Sequence, residues 1–231
     1  MIATFINCAT VLLGSLLGLL LHKKITESFK TIVYTGAGLV AMVLGMRMAF
    51  STTKIVYLAL ALILGGILGE WWKIEEAILK LGEFLKNRFA GNESGKDFSY
   101  GFLNASVLFC VGAMTLVGAF KAGAEGDYEL ILTKSVMDGF MAVMLTAAMG
   151  IGVAFSALTI LLYQGGITLL ANQLKPLVND LLLAELTGIG GVMVLMIGIN
   201  LLGLSKIKTA NYLPGLLIII ALVALEPLTP F

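Results

Sequence analysis

Apolar residues in this chain fall into runs near the roughly twenty residues a helix needs to cross a bilayer, separated by short polar breaks. The runs predict membrane-spanning helices at residues 2–21, 32–50, 55–72, 100–120, 130–150, 151–171, 183–204 and 213–225. The last is the shortest and opens on Pro214-Gly215, so a re-entrant or partly buried helix is the alternative there. The stretch from 130 to 171 is continuous and is divided at Gly150-Ile151-Gly152. The expected fold is all-α, a polytopic helical membrane protein of seven or eight transmembrane helices in one integral domain spanning residues 1–231.

One polar segment, residues 73–96, interrupts the apolar runs. Ile74, Ala77, Ile78, Leu81, Phe84 and Leu85 recur at helical spacing, with Glu75, Glu76, Lys80, Glu83 and Lys86 on the other side. That pattern predicts an amphipathic helix at the cytoplasmic interface, anchored by Trp71 and Trp72 and ended by a turn at residues 92–95.

A repeat is superposed on the spans. GAGLVAMVLGMRM from Gly36 and GIGGVMVLMIGINL from Gly188 align at a shift of 153 residues, with Gly38 on Gly191, Gly45 on Gly198 and Arg47 on Asn200. Spans one to three (residues 1–72) then match spans six to eight (151–231), flanking a central pair (97–150). Five spans separate the two starts, so the units are inverted, a layout that recurs in secondary transporters. Two GxxxG spacings, Gly14 with Gly18 and Gly65 with Gly69, predict close helix packing within the chain or in a homo-oligomer.

Composition fits a lipid environment: 59% of residues are hydrophobic and 13% charged. The net charge of +1 offers no basic face for nucleic acid. Residues 1–7 lack Lys and Arg, and Asn7 before Cys8 is a poor lipoprotein cleavage site, so the first segment is expected to be retained. With the N-terminus outside, ten Lys and Arg fall in cytoplasmic segments (Lys23, Lys24, Lys30, Lys73, Lys80, Lys86, Arg88, Lys96, Lys206, Lys208) and three outside (Lys54, Lys121, Lys175). This positive-inside bias places a multi-pass protein in a bacterial inner membrane with its N-terminus outside.

The most informative chemistry is a pair of charges inside the fifth span, Lys134 and Asp138, four residues apart on one helix face with Ser135 beside them. Each costs about 3 kcal/mol at a helix centre on insertion scales, so such groups face a partner or a water-filled cavity. Lys134 is placed near enough to the outer interface to snorkel, leaving Asp138 deeper. Asn104, Gln164, Asn200 and Arg47 are further candidates for a polar pathway, with interhelical bonding or snorkelling as their simpler roles. Asn7 is expected to cap or pack at the first span's entry, and Asp180 and Glu185 to be solvated or dipole-complementing acids at a helix start.

FCVGAMTLVGAF from Phe109, EGDYELILTKSVMDGF from Glu125 and GIGVAFSALTILLYQGGIT from Gly150 resemble the YqgA/YdfK-like family of uncharacterised bacterial membrane proteins. So do the N-terminal run from Ile2 and GAGLVAMVLGM from Gly36. The resemblance implies a polytopic inner-membrane protein and carries no activity. Family members have Pro where this chain has Ala113, so a proline-made break is not expected in the fourth span; Gly112 and Gly118 loosen it instead.

No P-loop, nucleophile elbow or HExxH is present, and the single histidine, His22, supports no metal or haem site. Neither an enzyme nor a cofactor is expected. The expected function is an inner-membrane transporter of a small polar solute or ion, working by alternating access between the repeats. The alternatives are an ion channel, or a non-transporting scaffold that docks a partner through residues 73–89.

Overall fold

In a computed structural model the described residues are 1–22, 27–89, 95–110, 113–174 and 178–226. Lys23, Lys24, residues 92–94, Gly112 and Lys175, which figure in the sequence expectations, lie outside them. Ten α-helices make up the fold: α1 (Ile2–His22), α2 (Glu27–Ala49), α3 (Ile55–Trp72), α4 (Ile74–Phe89), α5 (Gly95–Cys110), α6 (Ala113–Ala124), α7 (Glu129–Met149), α8 (Ser156–Leu174), α9 (Asp180–Leu201) and α10 (Pro214–Leu225). Short 3₁₀ turns, Ile151–Phe155 and Thr209–Tyr212, lead into α8 and α10. Among the described residues no strand occurs.

Among the described residues six segments are long and apolar enough to cross a membrane: α1, Thr31–Ala49 of α2, α3, α7, Ile151–Gln173 through α8, and α9. Their outward faces are leucine, isoleucine and valine, as in Leu12, Leu13, Leu16 and Leu17 of α1 or Ile55, Val56 and Ile63 of α3. Most of the glycines face inward, as do Asn7, Gln164, Lys134, Asp138 and Glu185. This inversion of the soluble pattern is what hydrocarbon solvent demands, since polar side chains there must find partners inside the protein. The chain is a multi-pass membrane protein.

The fourth span is broken. Asp97–Cys110 and Met114–Ala124 meet at 59°, so the break forms with Ala113 in place of a proline. Helix direction shows what the bent pair does. On α1, Gly14 packs against Gly139 and Ala142 of α7, and Gly18 against Val143 and Thr146. Rising numbers meet rising numbers, so α1 and α7 are parallel. Alternating crossings give that result only if α5 and α6 together traverse the bilayer once. The fifth and sixth spans part where expected: Gly150, at φ 81°, takes a left-handed conformation costly for any residue with a Cβ.

Helix α10 has 12 residues, about 18 Å at 1.5 Å per residue and well short of the roughly 30 Å hydrocarbon core. Pro214 lies at its start, where its missing N–H costs nothing. It runs antiparallel to α3, with Gly65 against Gly215 and Gly69 against Asn211.

Glycine contacts recur through the bundle. A Cβ on Gly45 would lie 2.8 Å from the Gly191 carbonyl oxygen, and one on Gly198 would lie 2.9 Å from that of Gly38. Both GxxxG faces are consumed within the chain, Gly14 and Gly18 by α7, Gly65 and Gly69 by α10 and the turn before it.

Two carboxylates pin the loops beside α3. Glu185, fully buried on α9 rather than solvated, accepts bonds from the backbone N–H groups of Thr53 (2.7 Å) and Lys54 (2.8 Å) and from the hydroxyls of Thr52 and Thr53. It satisfies donors at the start of α3 that have no intrahelical acceptor. Glu75, expected on the polar side of α4, is buried; its carboxylate accepts the Ala210 N–H at 3.1 Å while its own N–H donates to Asn211 Oδ1 at 2.8 Å. Ile78 and Leu85 of α4 pack on Phe98 and Phe102 of α5, leaving Leu81 and Phe84 exposed beside Trp71 and Trp72.

Gly191→Val should lose most monodisperse protein on gel filtration, because its side chain would run into the backbone of Met48 and Ala49, where overpacking costs about 1–3 kcal/mol or more. Gly166→Ala, with nothing within 4 Å, should leave the thermal midpoint unchanged or raised. Burial pushes the Glu75 carboxyl above its ordinary 4.5, so the folded state holds this proton more tightly than the unfolded one. Between the two values and above, ionised Glu75 subtracts stability; below the unfolded value it contributes no difference. Glu75→Gln, which keeps an acceptor for Ala210, should therefore melt higher than wild type at neutral pH and lose that advantage near pH 4. An advantage that persists or grows on acidification would contradict this account.

Candidate functional site

Where α1, α7 and α8 meet, five polar side chains bond to one another inside the bundle. Lys134 and Asp138 are one turn apart on α7, and the Lys134 ammonium donates directly to Asp138 Oδ2. Both residues are buried, so Lys134 does not snorkel. Four-residue spacing stacks the two side chains on one face, and burial keeps them on each other rather than on water. The Lys134 Nζ also lies 5.9 Å from the ring centroid of Phe109 on α5, over a π face that favours a cation.

From α1, Asn7 Nδ2 donates to Asp138 Oδ2 at 3.1 Å and to Gln164 Oε1 of α8 at 2.9 Å. Gln164 Nε2 then donates to Thr4 Oγ1 at 3.2 Å, back on α1. Asn7 and Gln164 are both fully buried. Both bonds come from Nδ2, which fixes the orientation of the Asn7 amide, and its Oδ1 is left without a partner. Cys8, the next residue of α1, donates from its thiol to the Ala157 carbonyl at 3.4 Å, tying α1 to the start of α8.

Of the residues singled out from the sequence, the structure brings together Asp138, Lys134 and Gln164. Ser135 sits beside them, but its hydroxyl bonds back to the Ile131 carbonyl at 2.7 Å within α7. Asn104 is buried on α5 with its amide 4.0 Å from the Met149 sulfur, outside the cluster. Asn200 clasps the loop after α9 through two bonds of 2.7 Å to the Ile207 backbone. Arg47 is exposed near the end of α2 and joins no part of the site. Asn200 and Arg47, although aligned by the repeat, are thus loop and surface residues.

Of the remaining members, Asn7 was expected to cap or pack at the entry of the first span, and Thr4 was not singled out. Their signal was available: they are two of the polar interruptions of a largely apolar first span, three residues apart on one helix face. What the sequence lacked was the direction of that face. Among the described residues no three His, Cys, Asp or Glu side chains converge.

Lys134→Met leaves Asp138 buried without its cation and should destabilise the protein by about 3–5 kcal/mol. Adding Asp138→Leu to it should recover much of that loss, read as unfolding midpoints in detergent micelles. Equal losses for the single and double variants would mean the pair is not held in a low-dielectric environment.

The family described as "Protein of unknown function (DUF554)" matches residues 2–224 of this chain. "Uncharacterized membrane protein YdfK" of Bacillus subtilis (strain 168) is 32% identical over 223 residues, covering 94% of this chain and 93% of its own length. "Uncharacterized protein YqgA" of Escherichia coli (strain K12) is 27% identical over 226 residues, covering 96% of both. No solved structure matches the chain.

Proposed function

The chain belongs to the DUF554 family of unknown function, and we propose that it is a transporter of a small polar solute or ion in the bacterial inner membrane, with its N-terminus outside. The observation that carries this reading is the buried Lys134–Asp138 pair joined to Asn7 and Gln164. A structural clamp between α1 and α7 could be made from the glycine contacts alone. Burying two full charges as well is costly, and intramembrane ionisable groups mark pathways more often than packing. The three helices that supply the cluster come from the first unit, the central pair and the second unit, so relative motion of the units would open it.

The α2–α9 contact supports an inverted repeat. Under the 153-residue shift, the Gly38–Gly198 contact maps onto Gly191–Gly45, which is the other contact observed. An antiparallel pair about a two-fold axis maps onto itself in this way. Alternating access in inverted-repeat carriers uses such an axis, with the site near the repeat interface.

The scaffold reading has less support. Helix α4 turns Glu75, Gly82 and Leu85 inward and spends them on α5 and the loop before α10. The large apolar residues it leaves exposed, Leu81 and Phe84, suit a bilayer interface rather than a soluble partner.

In proteoliposomes tested against a panel of ions, amino acids and small organic anions, wild type should move at least one solute. Asp138→Asn, monodisperse on gel filtration, should lose that flux. Silence of correctly folded wild type across the panel, or full flux through the variant, would end this reading.

A further inference from the structure

A groove of about 690 Å³ runs down the outward side of α3, on elements that contribute nothing to the polar cluster. Its volume falls within the roughly 300–1,000 Å³ of small-ligand sites. One wall is a stripe of α3 made by Leu62, Gly66 and Glu70, with Ile63, Ile67 and Trp71 beside them. Steps of four residues keep each trio on one helix face, so the wall is continuous. Met196 of α9 and Tyr212 of the turn before α10 form the other wall. Glycine keeps the floor open, for a Cβ on Gly66 would lie 3.0 Å from the Tyr212 ring. Helix α10 does not cover the groove, because it packs on the neighbouring face at Gly65.

The groove changes character along its length. Leu62 lies eight residues before Glu70, about 12 Å at 1.5 Å per residue, close to half of the roughly 30 Å hydrocarbon core. Over that depth the lining is apolar, with Ile63 and Ile67 exposed. At the mouth it turns polar and aromatic, with Glu70, Trp71 and Tyr212. Trp and Tyr gather at the level of lipid headgroups, and α4, which starts three residues after Trp71, leaves Leu81 and Phe84 exposed as an interfacial helix does. The complement of such a groove is an amphiphile, with a tail one leaflet deep and a polar end at Glu70.

The charges at the mouth choose the headgroup. Lys208 Nζ donates to both oxygens of Glu70, at 2.8 and 3.0 Å, and lies 3.8 Å from Glu76 Oε1. Asn211 Nδ2 donates to Glu70 Oε2 at 2.7 Å. Lys73 follows Glu70 by three residues. Two carboxylates thus stand with two ammonium groups, and Glu75 lies buried behind them on the Ala210 N–H. No net positive charge is present to draw an anionic headgroup. A carboxylate offers about four lone-pair sites, and three of those on Glu70 are taken, which leaves one on Oε1 for a further donor. An ethanolamine ammonium brings N–H donors to it, and the adjoining phosphate finds the Lys208 ammonium. Choline carries the same charge with no N–H to give, and a glycerol headgroup sets an unbalanced anion beside Glu70 and Glu76. The Glu70–Lys208 pair is about half exposed, so a headgroup can join it without breaking a buried bond.

We propose that this groove holds one phospholipid with a primary-amine headgroup, its ammonium on Glu70 and one acyl chain along residues 62–67 of α3. The site stands whether or not the chain transports a solute.

Trp71 lines the groove and Trp72 does not, and the chain has no other tryptophan. A Trp72→Phe background therefore leaves a single reporter at the mouth. Full-length protein in that background is placed in phosphatidylcholine vesicles doped with brominated lipid of ethanolamine, choline or glycerol headgroup at equal mole fraction. Brominated chains quench indole fluorescence on contact. The ethanolamine lipid should quench Trp71 several-fold more than the choline lipid, which reports ordinary boundary contact, and more than the glycerol lipid. Unbrominated phosphatidylethanolamine should reverse the excess, and unbrominated phosphatidylcholine should not. Adding Glu70→Gln, with the protein monodisperse on gel filtration, should cut the excess several-fold while the thermal midpoint stays close to that of the parent, since exposed ion pairs contribute little. Should either variant fail to fold, the competition between unbrominated lipids on the wild-type chain decides alone. Equal quenching by all three headgroups, a preference for choline or glycerol lipid, or an ethanolamine preference undiminished in folded Glu70→Gln would each overturn the proposal.

Discussion

Close approach of helix backbones at glycine is the constraint on which the rest of this structure depends. In hydrocarbon there is little hydrophobic gain in pressing one apolar helix on another, so association rests on short-range packing and interhelical polar bonds. Four glycines bring α2 and α9 together, Gly14 and Gly18 bring α1 to α7, and Gly65 and Gly69 bring α3 to α10. Each contact is local, and together they fix which helices are neighbours. The polar cluster exists because α1 is held against α7 at a distance where Asn7 reaches Asp138.

Loops here behave as part of the interior rather than as connectors. Glu185 and Glu75 each reach backbone N–H groups at the entry to a helix, one at α3 and the other at α10. Both helices begin after a Gly-rich partner, α2 or α9, has ended. A carboxylate accepting backbone hydrogens forms a charge-assisted bond, stronger than one between neutral groups. The Glu185 bonds fix the start of α3, and the Glu75 bond fixes the turn that leads into the short helix α10.

The site inherits its character from that framework. A lysine and an aspartate on one helix would pair in many contexts and mean little. Here the pair is sealed by Phe109 and by amides from two other helices. Glycine contacts and buried polar atoms without partners, Asn7 Oδ1 and Thr146 Oγ1, share the faces where α1 meets α7.

Sequence by itself determined the helical class, the limits of most spans and the charge pair, but not the bend between α5 and α6. A run of apolar residues has only one way to satisfy its backbone in lipid, and Gly150 marked the break between α7 and α8 correctly. The resemblance of the middle of the chain to a known family also lay in plain residues. It did not determine which polar residues would meet. Asn7, read as a capping residue, and Glu185, read as a solvated acid, are fully buried, because their fate depends on which helix lies opposite. Asn200 and Arg47 lie apart from the cluster, since helix rotation and depth place one against a loop and the other at the surface. Only the tertiary structure sets those rotations. Periodicity along one helix fixes its own faces, whereas a site is a relation among three.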